Sequence, residues 1–224
     1  MLVCRLALRE LWISFRLLLL LAVYVAAGTV AALVPAPLPT TLFRLALGLA
    51  AAGVTAAVVA AWSLSRERAL GRAAWLATHS IPRATILIGW FVPLAAVSIL
   101  GLVAAGSLGW LVTSASSARP GALAFAATVA SIATLVLALL ALGLLVGALV
   151  RAPAAALVTA LACALMIAVP WAAVPPVTLP IEALARLPEL VAPTSLAVQS
   201  AGGGLLVTAV LLLAARGALG RVDL

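Results

Sequence analysis

From Ala84 to Val112, from Ala122 to Val150 and from Ala154 to Val174 the chain carries no charged side chain, and Leu17 to Val34 and Leu196 to Ala215 are equally free of charge. Crossing a bilayer takes roughly 20 apolar residues of α-helix, because away from water a helix satisfies its own backbone donors and acceptors. Runs of this length confine the sequence to one class, an all-α integral membrane protein. Charged residues make up 8% of the 224 residues, against about a quarter in soluble domains. A second, soluble domain has no room, and 1-224 reads as a single transmembrane domain.

Thr41 to about Leu64 completes a set of six transmembrane helices, with Arg44 placed to snorkel to the outer interface. Prolines punctuate the set. Pro35, Pro37 and Pro39 end the first span and leave a tight hairpin to the second, while Pro93 predicts a kink within the third. Gly143 and Gly147, four residues apart in the fourth span, would let another helix approach closely. The Gln199, Ser200 and Gly202 to Gly204 stretch makes the last span weak at its outer end.

Ahead of the first span, residues 1-16 are too short to cross and are amphipathic. At about 100° per residue Arg5, Arg9 and Arg16 fall on one stripe, with Leu2, Leu6 and Ile13 among the apolar remainder. The expectation is an N-terminal interfacial helix with Trp12 at the headgroups and the three arginines toward anionic lipid. A cleavable signal peptide fits poorly, since charges persist up to Arg16 and no polar cleavage region follows the apolar run.

The 13 basic residues are all arginines. With the N-terminus inside, Arg5, Arg9, Arg16, Arg66, Arg68, Arg72, Arg83, Arg151, Arg216 and Arg221 are cytoplasmic and Arg44, Arg119 and Arg186 are outside, ten against three. Both termini are then cytoplasmic in a multi-pass protein. The arginines sit at the ends of apolar runs, so the net charge of +8 reads as topogenic and not as a nucleic-acid surface. Without lysine no GxxxxGK phosphate loop can form, so any ATP must be bound by another chain. Cys4 and Cys163 have neither disulfide nor metal-ligand spacing.

Within the spans the polar groups are hydroxyls, among them Tyr24, Thr29, Thr55, Ser98, Thr128, Ser131 and Thr134. Ion-coupled carriers need ionisable groups at membrane depth, which argues against that class. Hydroxyls in membrane helices bond mostly to the preceding turn, so none is taken as a ligand-binding residue. His79, the one histidine, has no second ligand or base near it in sequence. No catalytic, cofactor-binding or metal-binding residue is assigned, and the chain is not read as an enzyme.

What remains is the single long polar interval, SRERALGRAAWLATHSIPRATILIGWF, from Ser65. It resembles the segment after the second span in type-2 ABC transporter permeases, with Glu67, Gly71, Leu76, Pro82, Arg83, Ile86 and Leu87 at the family's positions. Arg72 and Trp90 stand where that family usually has Thr and Lys, so the contacts of those two are not carried over. The stretch 176-200 resembles the family's outer re-entrant pieces between the fifth and sixth spans, with Pro180, Glu182 and the Pro193-Thr194 pair, and the basic tail fits as well.

The resemblance implies a permease subunit of an ATP-driven exporter in a bacterial cytoplasmic (inner) membrane. A cytoplasmic coupling segment, 64-83, would dock on a separate ATP-binding subunit that holds ATP and Mg, through Arg66, Glu67, Arg68, Gly71, Arg72, Leu76, His79, Pro82 and Arg83. A second permease chain, identical or not, would complete the pathway. Three other readings stay open. They are a haem-exporter-like permease of cytochrome c maturation, a bacteriocin immunity permease, and a non-transporting scaffold or signalling subunit driven by an ATPase. The cargo is not legible.

Overall fold

The computed structural model describes residues 2–33, 38–71, 81–113, 122–173 and 193–221. They form helices α1 (Leu2–Ile13), α2 (Arg16–Leu33), α3 (Leu38–Ala69), α4 (Arg83–Thr113), α5 (Ala122–Leu149), α6 (Pro153–Ala173) and α7 (Pro193–Arg221). Four of these contain a segment long and apolar enough to cross a membrane: Leu47–Ala69, Arg83–Leu111, Val129–Leu149 and Gly202–Gly220. The pair α1 and α2, bent by 70°, makes a fifth if taken as one broken span, and α6 offers the shorter apolar stretch Pro153–Ala168. The protein is an all-helical, multi-pass membrane protein.

Helices α3 and α5 form the centre. Each has 67% of its best span window buried, against 17% for α7, so α7 lines the outside of the bundle while α3 and α5 are covered from several sides. The small residues of the sequence explain how closely they meet. A Cβ on Gly143 would fall onto the carbonyl of Ala57, and one on Gly147 would lie 2.7 Å from the carbonyl oxygen of Ala61. The spacing of Gly143 and Gly147 thus fits a backbone-to-backbone contact between α5 and α3. Tyr24 of α2, fully buried, packs over Gly101 of α4, and α7 approaches α5 where Gly204 meets Thr134.

Two expectations need adjusting. The last helix starts at Pro193 and not at Leu196, and it runs unbroken through Gly202 to Gly204. Proline suits a helix's first turn, where its missing donor is not needed, and Pro193 and Thr194 therefore open α7. α4 runs as one helix from Arg83 to Thr113 with Pro93 inside it. The N-terminal helix ends at Ile13, so Arg16 belongs to α2. Between them Phe15 adopts φ 56, a left-handed conformation that ends one helix as glycine usually does, while its carbonyl accepts from Leu19 N at 2.9 Å to begin the next.

Arg72, Leu76, His79, Arg119, Pro180, Glu182 and Arg186 lie outside the described residues.

Candidate functional site: the arginine-rich end of the bundle

The topology brings the end of α1, the starts of α2 and α4, and the ends of α3, α5 and α7 to one end of the molecule. The last turn of α3 carries Arg66 and Arg68. It closes with Leu70 N donating to Arg66 O at 2.9 Å and Gly71 N to Arg68 O at 3.1 Å, and Gly71 has φ 72 with nothing within 4 Å of an added Cβ. Glycine is needed there for the backbone and not for space. The chain returns at Pro82, whose carbonyl accepts from Thr85 N at 2.8 Å to start α4.

Charge at this end is distributed between surface and interior. Arg66, Gly71, Pro82 and Arg83 are exposed. Glu67 and Arg68, expected on the docking face, are buried at 7% and 5% exposure. Arg68 reaches inward because the carbonyls ending α5 are unpaired within their own helix and carry partial negative charge. Its Nη1 donates to Gly147 O at 3.1 Å and Ala148 O at 2.5 Å. Arg83 Nη1 donates to Gly220 O at 2.7 Å, in the last turn of α7.

Arg16 is the clearest correction. Expected on the headgroup stripe, it is 4% exposed, and its Nη1 donates to Ser63 Oγ at 2.8 Å while the guanidinium lies 4.3 Å from the centroid of the Trp62 ring. An aromatic face and a hydroxyl acceptor together receive the buried guanidinium. Arg5, Arg9 and Trp12 remain exposed on α1. Between α1, α3 and α4 lies a cleft of about 430 Å³, lined by Val3, Ala7, Glu10, Arg66, Glu67 and Trp90.

Among the described residues, four of the span hydroxyls bond to carbonyls of the preceding turn. Thr29 donates to Val25 O, Thr55 to Ala51 O, Thr134 to Ser131 O and Thr208 to Gly204 O, each within its own helix. Among the described residues no group of three or more His, Cys, Asp or Glu could hold a metal ion. The arrangement at the arginine-rich end is suited to holding and moving helices, with charged donors on helix-terminal carbonyls.

Comparison with known families agrees. The model of the ABC-2 family transporter protein matches residues 39–202, well over half of the chain and including the whole polar interval. The chain belongs to the ABC-2 transporter family. It is thus the membrane permease component of an ABC transporter, a kind of subunit that is typically non-catalytic and usually cofactor-free, its ATPase residing in partner subunits. No individually curated protein matches the sequence.

The partners of the buried arginines were not legible beforehand. Trp62 and Ser63 lie within four residues of Arg66 in sequence, but nothing in the sequence assigned them to Arg16. Backbone carbonyls, which hold Arg68 and Arg83, leave no trace in a side-chain pattern.

Proposed function

We propose that this permease is driven by a separate ATP-binding subunit that docks on the 64–83 segment, and that it moves its cargo outward from a bacterial cytoplasm. In this reading both termini are cytoplasmic, and α6, at 21 residues, joins the other spans to make six. A second permease chain completes the pathway. The observation that carries the reading is the exposed turn at Arg66, Leu70 and Gly71, standing at the end of the buried helix α3. A push on that turn acts on the centre of the bundle. The direction of transport rests on the resemblance, since no part of the sequence suggests a surface for an external binding protein.

Purification from the native membrane in mild detergent, with mass spectrometry of all co-purifying chains, tests this. A P-loop ATPase is expected with the wild-type chain and is expected to be lost, or its activity uncoupled, in Arg66→Glu combined with Leu70→Asp, both at exposed positions. Arg68 is a poor choice for substitution, because its burial makes loss of folding and loss of docking indistinguishable. Absence of any ATPase from intact complexes would remove the energy source and overturn the reading.

A further inference from the structure

Each edge of the 64–83 segment is fastened to the body of the protein by an arginine, and the two arginines hold different helices. On the entering side Arg68 holds the carbonyls of Gly147 and Ala148, at the end of α5. On the leaving side Arg83, the first residue of α4, holds the carbonyl of Gly220 at the end of α7. The two receiving helices, α5 and α7, share the most extensive packing in the bundle. The segment therefore closes a loop, α3 to α5 to α7 to α4, at one end of the molecule.

The two links are not equal. That between α3 and α5 is reinforced by backbone contact at Gly143 and Gly147, so Arg68 adds to a joint that packing already makes. α4 and α7 share little surface, and the Arg83 guanidinium reaches Gly220 across it. A guanidinium keeps its charge at any physiological pH and can meet a helix-terminal carbonyl in several orientations.

We propose that Arg83 is a positioning residue that passes displacement of the coupling segment to α7, so that α5 and α7 move with the segment as one body. This rests on the coupling reading above. Without the Arg83 link, a movement of the segment would reach α7 only through α3 and the packing of α5 on α7, and the direct path from the leaving edge of the segment would be lost.

The test uses the full complex with the ATP-binding subunit that co-purifies, in lipid nanodiscs, with Cys4 and Cys163 replaced by Ser. Spin labels at the exposed positions Leu70 and Leu213, each paired with one at exposed Val30 of α2, report the segment and α7. Distances are measured with and without MgATP plus orthovanadate. The readout is the ratio of the nucleotide-driven shift at Leu213 to that at Leu70. Impaired docking scales both shifts and leaves the ratio unchanged.

The ratio is expected to fall at least twofold in Arg83→Gln and to return to the wild-type value in Arg83→Lys, which keeps a charged donor. An unchanged ratio in Arg83→Gln overturns the proposal. A wild-type shift at Leu70 without one at Leu213 also overturns it while leaving the coupling reading in place. No shift at Leu70 in the wild type removes the coupling reading, and the proposal with it.

Discussion

Arg16 shows what a single residue can and cannot disclose from sequence. A helical projection places it with Arg5 and Arg9 only while the helix is assumed to continue, and the chain turns at Phe15 before reaching it. Removing the Arg16 side chain would forfeit a charged hydrogen bond, worth about 1.5–3 kcal/mol, and a stacking interaction over Trp62 of about 0.5–2 kcal/mol. Glu10 and Glu67, whose negative charge acts on Arg16, would also lose their nearby cation. Arg16→Ala is therefore expected to lower stability by about 2–5 kcal/mol, read as a reduced unfolding midpoint in detergent. Arg16→Lys should lie between, since an ammonium can bond Ser63 but cannot stack as a planar guanidinium does. Gly71 was legible as a family position, and its φ of 72 gives the physical cause. Gly71→Ala should cost about 1 kcal/mol from the left-handed backbone alone.

At the scale of helices, the lengths and the charge-free runs gave α3, α4, α5 and α6 to within a few residues, because a membrane span is a matter of apolar length. Boundaries set by local geometry were harder. The bend between α1 and α2 depends on Phe15 in a conformation that phenylalanine seldom adopts, and the start of α7 depends on Pro193 acting as an initiator. Gly143 and Gly147 were legible as a spacing, but which helix they would meet was not. The contact with Ala57 and Ala61 supplies that partner and leads to a test. Gly143→Val forces a branched side chain onto the α3 backbone and should cost about 1–3 kcal/mol or more from overpacking. In contrast, Gly217→Ala, inside helix α7 with nothing within 4 Å of the added Cβ, should leave stability unchanged or raise it by up to about 1 kcal/mol.

For the whole molecule, composition and arginine distribution fixed the class and suggested the orientation, and the fold adds a reason for the distribution. Arg16, Arg68 and Arg83 hold helix ends and side chains together at the same end of the bundle, so they serve packing. Site-directed thiol labelling in intact cells checks the orientation. A cysteine at Leu70 is expected to react with a membrane-impermeant maleimide only after the cells are opened, and reaction beforehand would reverse the topology. The segment between α3 and α4 is the point where resemblance, family match and exposed geometry meet. A photo-crosslinking amino acid at Leu70, with one at Val30 near the opposite end of α2 as control, tests that meeting point in native membranes. An adduct to an ATP-binding subunit from Leu70 and none from Val30 is predicted; no adduct from Leu70 in membranes where that subunit is present would contradict the account.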